Sequence, residues 1–267
     1  ISKVKALSEY ENVFITPQTA ILEADGGTLL IVVDTNRPEQ VESETLLEAC
    51  NSVAVIDHHR RAGNYIQNVG LSFHEPYASS TCELVTELLQ YVVDPADILR
   101  PEAEGLLAGI MLDTKNFTLR TGGRTFDAAA FLRRAGADTM EVKKLLQSDM
   151  ASTKEKYAII QKAKIYKSGI AIAAPESVTS RVIPAQAADD LLNISGIRAS
   201  FIVFPDGDRI NISARSSGEV NVQVILEKLG GGGSRQQAGA QIPDKSLKDV
   251  VADLLKAIDS YIEETTV

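Results

Sequence analysis

Two short runs of apolar residues, each stopped by an aspartate, constrain this chain more than any other feature. Leu29-Leu30-Ile31-Val32-Val33 ends at Asp34, and Val53-Ala54-Val55-Ile56 ends at Asp57. Runs this short fit strands buried on both faces, as in a parallel sheet. Between them, Pro38 to Cys50 carries Leu46, Leu47 and Cys50 at helical spacing. Strand, helix, strand is the crossover that joins parallel neighbours, so the first part of the chain reads as α/β.

Further signals extend the pattern. Ser80-Thr81-Cys82-Glu83 has capping-box spacing ahead of the stripe Leu84, Leu88 and Leu89. Pro101 suits the first turn of another helix, whose face is Leu106, Leu107 and Ile110 and which runs into Leu112-Asp113-Thr114. Helical stretches follow around 124–135 and 139–164. Strands are then expected at 169–174 and 199–204, with a helix over 185–193 between them. Pro205-Asp206-Gly207-Asp208 reads as a turn, and Arg209 to Ala214 as the returning strand. A helix from Glu219 to Leu229 stops at Gly230-Gly231-Gly232-Gly233, and an amphipathic helix covers 246–263. With the boundary inside 145–165, residues 1–150 form a mostly parallel-sheet domain and 151–267 a smaller α+β domain.

Composition narrows the chemistry. With 36 acidic against 27 basic residues the net charge is −9, which argues against a general coat for long nucleic acid. No apolar run approaches the roughly 20 residues of a membrane helix, and no signal peptide is visible, so no direct membrane contact is expected of this stretch. Two cysteines, Cys50 and Cys82, cannot build a disulfide framework or a Cys-rich zinc site and read as buried spacers in a reducing cytosol. The chain opens with Ile-Ser-Lys rather than Met, which reads as a piece of a longer protein.

Asp57-His58-His59 directly follows an apolar strand, where open α/β sheets place their ligand sites. A strand ending in an aspartate and two of the chain's three histidines has little reason to do so for stability. Asp34 and Asp113 each end an apolar stretch and precede Thr; singly, either is an ordinary turn or cap signal. Three such termini in one α/β half would converge on one sheet edge. Carboxylates with neutral imidazole suit manganese, iron or similar divalent ions. His74 reads as a surface or turn residue.

Val33-Asp34-Thr35, Asp57-His58-His59, Gly109-Ile110-Met111-Leu112-Asp113-Thr114 and the glycine run resemble, in order, the DHH phosphoesterase family with its DHH-associated domain. Glu75 to Thr81, Arg120 to Asp127, Ile212 to Ser216 and Gly218 to Val222 are similar to the membrane-tethered cyclic-di-AMP phosphodiesterases of Gram-positive bacteria. The resemblance implies a pair of manganese ions, bridged by Asp34, with His58 on one and Asp113 on the other. Asp57 would orient an imidazole, and His59 would face the substrate phosphate. Arg215, Gly231, Gly232, Gly233 and Ser234 would bind substrate, with Arg60, Arg120 and Arg124 as further candidates. Two ions roughly 3.5–4 Å apart would activate water for in-line attack, opening cyclic-di-AMP to linear 5′-pApA. A homodimer on the cytoplasmic face of a membrane-anchored protein is also implied.

Two departures stand out. The family's first motif, a strand followed by His and paired Asp, has no counterpart before Asp34. This suggests truncation, and an inactive fragment. Ser234 stands where the family has His after the glycines. Two other readings stay open: an exonuclease of the same family acting on very short oligonucleotides, and a catalytically impaired nucleotide-binding or sensor module.

Overall fold

The structure, a computed structural model, describes residues 5, 7–61 and 63–265. It divides into two compact units, Ile1–Gln147 and Ser148–Val267.

In the first unit α1 (Pro17–Glu23) precedes β1 (Leu29–Val33). The crossover then carries α2 (Glu44–Ala49), capped by Ser43 Oγ on Leu46 N at 3.2 Å, to β2 (Ser52–Asp57). With β3 (Leu71–His74) these strands make a parallel sheet in the order β1-β2-β3. Leu29 pairs with Ser52 and Val33 with Ile56, and Asp34 N continues the ladder by donating to Ile56 O at 3.0 Å.

The expectation of double-sided burial holds for β2 and fails for β1. Val32 and Leu30 face a small core with Leu46, Leu47, Val53 and Val55. On the opposite face Leu29, Ile31 and Val33 are 58%, 53% and 51% exposed. The reason is position: β1 is the sheet edge, paired on one side alone among the described residues. β3 gave no sequence signal because four residues are too few to display a period.

Helices α3 (Thr81–Val92), α4 (Arg100–Asp113), α5 (Gly123–Arg134) and α6 (Thr139–Leu145) surround a core that includes Leu107, Ile110, Phe131, Leu132 and Val142. Where α4 meets α3, a Cβ on Gly109 would stand 2.2 Å from Cys82 Sγ. Only glycine lets the helices approach this closely, and the contact lies one turn before Asp113.

The second unit begins with α7 (Met150–Gln161). The stretch expected to be helical over 139–164 is therefore broken, because Asp149 caps α7 by accepting from Ser152 N at 2.9 Å. Six strands follow: β4 (Lys164–Tyr166), β5 (Ile170–Ala173), β6 (Ala199–Asp206), β7 (Arg209–Ser216), β8 (Gly232–Gly233) and β9 (Gln237–Pro243). Their order is β4-β5-β6-β7-β9-β8, with only β5 and β6 parallel. Helix α8 (Val182–Leu191) covers one face, and α9 (Val222–Glu227) with α10 (Leu247–Thr265) the other.

The hairpin is tighter than expected, since Asp206 already pairs with Arg209 across Gly207, whose φ is 62°. Helix α9 starts three residues later than expected, at its Asn221 cap. Strand β9, unforeseen in the sequence, hides within a small-residue run.

Gly109→Ala should destabilise the chain by about 1–3 kcal/mol through overpacking. Adding Cys82→Ala should recover most of that loss in denaturant unfolding; an unchanged midpoint for the single variant would remove the close-approach argument.

Candidate functional site

The parallel ends of β1 and β2 bring the predicted residues together. Asp34 leaves β1 at φ 65°, a left-handed conformation that Asp tolerates better than most residues. His58, 6% exposed, sits just past β2. Its Nδ1 lies 3.3 Å from Ala78 O. A carbonyl can only accept, so this bond puts the proton on Nδ1 and leaves the Nε2 lone pair free. Nε2 faces Asp34 Oδ1 at 3.7 Å and Asp113 Oδ2 at 3.8 Å. Both are too long for hydrogen bonds and leave a gap lined by donors suited to a divalent cation. Asp34, His58 and His59 also offer ligand atoms within 4.8 Å of one another.

Asp113 reaches this point as the expected helix running into Leu112-Asp113-Thr114 implies. It is the last residue of α4, so the site is built from two strand ends and one helix end rather than from strand ends alone. Buried Thr114 anchors the turn beyond: its Oγ1 accepts from Phe117 N at 2.9 Å, and its carbonyl from Thr118 N and Leu119 N at 2.8 Å. Lys115, Asn116 and Phe117 are all left-handed in that turn. Burial pushes the Asp113 carboxyl above its ordinary value. The imidazoles and Arg120 oppose that rise, and neighbouring Asp34 adds to it. A bound cation would offset the cost of keeping the Asp113 carboxylate ionised beside Asp34.

Asp57 is wholly buried. Burial alone would raise its carboxyl, but hydrogen bonds from His59 and Asn36 outweigh it and hold the group below its ordinary range. His59 Nδ1 lies 2.8 Å from Asp57 Oδ1, so the imidazole that Asp57 orients is that of His59. That bond keeps His59 above its ordinary value, against its partial burial.

Two contributors escaped the sequence reading. Asn36 donates through Nδ2 to Asp57 Oδ2 and to His59 O, while its Oδ1 is buried without a partner. His74 is a strand end rather than a turn residue. It pairs in register with Asp57, and its Nε2 donates to His59 O at 2.5 Å. No spacing marks either one; only the register of β3 on β2 brings His74 alongside.

The arginine and glycine candidates differ in setting. Arg60 and Arg120 are exposed. Arg124 forks onto Glu87 at 2.7 and 2.6 Å, which makes it a structural cation rather than a free phosphate donor. Arg215 is half-buried, with Nε 3.2 Å from Asp189 Oδ1. A Cβ on Gly231 would come within 2.4 Å of Gly239 O, and one on Gly233 within 2.4 Å of Gln237 O. These glycines thus pack backbone against β9. Gly232 instead faces open space beside a hollow lined by Arg181, Phe204, Asn211 and Gln241. Ser234 turns back on the strand, its N donating to Gln237 O at 2.6 Å.

Family models for the DHH family, N-terminal domain, and for the DHHA1 domain match residues 3–110 and 167–264. The chain is 45% identical over 261 residues to cyclic-di-AMP phosphodiesterase PdeA of Listeria monocytogenes, covering 96% of this chain and 40% of that protein. It is 30% identical over 245 residues to the bifunctional oligoribonuclease and PAP phosphatase NrnA of Mycoplasma genitalium, covering 86% of this chain and 74% of that one. A crystal structure of an exopolyphosphatase-related protein from Bacteroides fragilis has the same fold at TM-score 0.79 and 21% identity, over 90% of this chain and 73% of that chain. The chain spans about two fifths of the length of the cyclic-di-AMP phosphodiesterases it matches.

The His59–Asp57 pair generates a pH prediction. A raised His59 stabilises the fold below its ordinary value of 6.5, and the gain is lost as pH rises through the folded value. A lowered Asp57 stabilises above its ordinary 3.8, and the gain is lost as pH falls through the folded value. The melting-temperature gap between the metal-free chain and Asp57→Asn should therefore be widest between those two values. The NMR titration midpoint of His59 should also fall in the variant.

Proposed function

The chain belongs to the DHH family, with a DHHA1 domain in its second unit, and from that premise we propose that it is a metal-dependent phosphodiesterase opening cyclic-di-AMP to linear 5′-pApA. The observation that carries this reading is His58 Nε2 facing both Asp34 and Asp113 across gaps of 3.7 and 3.8 Å. Asp34, His58 and Asp113 would hold the divalent ions, manganese by resemblance, with His59 beside them. When bound, such ions neutralise phosphoryl oxygens and make a water acidic enough to attack near neutral pH.

His59 directs its free Nε2 to a phosphate oxygen, and Asp57 behind it favours the cationic form an anion needs. Exposed Arg60 and Arg120 raise the local potential. In the second unit, taken by itself, Gly231, Gly232, Gly233 and Ser234 are the candidate contacts for a nucleotide phosphate. Arg215 joins them by exchanging Asp189 for phosphate. Dimerisation and a place on the cytoplasmic face of a membrane-anchored protein rest on resemblance. Among the described residues no helix is long and apolar enough to cross a membrane.

Identities of 45% and 49% to cyclic-di-AMP phosphodiesterases, against 30% to the oligoribonuclease, favour the cyclic substrate. Turnover of cyclic-di-AMP and of pApA with Mn²⁺, on the polypeptide as its gene encodes it, tests the reading. Asp34→Ala and His58→Ala should each lose about a thousandfold or more, as should chelation, since several kcal/mol of charge stabilisation disappears. Equal activity in all three proteins would remove both residues from the mechanism. Faster turnover of pApA would favour the exonuclease. Nucleotide affinity that survives chelation without hydrolysis would favour the sensor.

A further inference from the structure

Glu83 lies within the first unit with only 2% of its surface exposed, a costly place for a carboxylate. Its Oε2 accepts from Ser79 Oγ at 2.5 Å and from Ser79 N at 3.4 Å. The capping-box spacing predicted a bond back to the cap residue, Ser80, but the side chain passes over it to Ser79. Ser80 Oγ separately caps α3 by accepting from Glu83 N at 3.0 Å. A helix cap of this kind needs Ser80 alone and works equally well at the surface. Capping therefore does not account for the buried carboxylate.

The peptide bond between Ala78 and Ser79 does. In a planar trans peptide the N–H and C=O point in opposite directions. A carboxylate drawing the Ser79 N–H one way aims the Ala78 carbonyl the other way, and that carbonyl, also buried, meets His58 Nδ1. We propose that Glu83 is a positioning residue for His58: by fixing the Ala78–Ser79 peptide it holds the imidazole in the tautomer whose Nε2 faces Asp34 and Asp113.

The inference deepens the metal-centre reading and rests on it for its functional consequence. Its test separates the two. In the metal-free 267-residue chain labelled with ¹⁵N-histidine, long-range ¹H–¹⁵N correlation reads the His58 tautomer directly. The wild type should show only the Nδ1–H form, and Glu83→Ala a mixture. Mn²⁺ affinity by calorimetry should fall about 10–100-fold in the variant. Ser79→Ala removes the 2.5 Å bond and keeps the carboxylate, so it should shift both readouts less in the same direction; it carries the test should Glu83→Ala not fold. Glu83→Ala with Ser79→Ala should be no worse than Glu83→Ala alone. Retention of the pure Nδ1–H form in every folded variant would overturn the proposal, and a fall in melting temperature alone would reduce Glu83 to helix support. If the wild type binds no Mn²⁺ while Glu83→Ala still mixes the tautomers, the positioning role stands and the metal-centre reading fails.

Discussion

Parallel pairing of β1 with β2 is the constraint around which the first unit is arranged. Parallel neighbours end at the same edge, so whatever follows them meets there. Asp34 follows one strand, and Asp57 with the two histidines closes the next. An antiparallel pair of the same five-residue length would have separated those ends by about 16 Å, at ~3.3 Å per residue. The crossover helix follows from the pairing, because parallel strands cannot be joined by a tight turn. Asp113 then needs only the packing of α4 against α3, fixed at Gly109, to arrive from a third direction.

The two adjacent imidazoles are held by different kinds of acceptor, and the difference suits them to different tasks. A backbone carbonyl behind His58 fixes the tautomer whose Nε2 has a lone pair to offer. A buried carboxylate behind His59 favours the cation. One arrangement suits a ligand for a metal ion and the other a contact for an anion. Each draws on polar groups taken out of water, Asp57 and Asn36 for one ring and Glu83 with Ser79 for the other. Such groups stabilise little in net terms, but once mutually satisfied they leave few alternative positions for the rings.

In the second unit the glycine run has a packing reason that precedes any ligand. Gly231 and Gly233 close onto β9, where any side chain would strike backbone, while Gly232 is left facing the hollow. A phosphate loop and a tight strand contact ask for the same residue, since both require backbone approach without a Cβ.

The sequence by itself determined the alternation of strand and helix, the aspartates and histidines at their ends and the cap at Ser80. Each of these is local: it depends on the period of apolar residues or on what one residue offers a neighbouring backbone group. Tertiary structure decided the rest. β1 became an exposed edge because edge position depends on what pairs with it, and an apolar run cannot report that. His74 and Asn36 joined the site through strand register, Asp113 through the packing of α4 on α3 at Gly109, and Glu83 through one peptide plane. Arg124 and Arg215 have carboxylate partners remote in sequence, Glu87 and Asp189. Contacts between residues far apart in the chain leave no mark on local spacing, so no reading of periodicity could have recovered them.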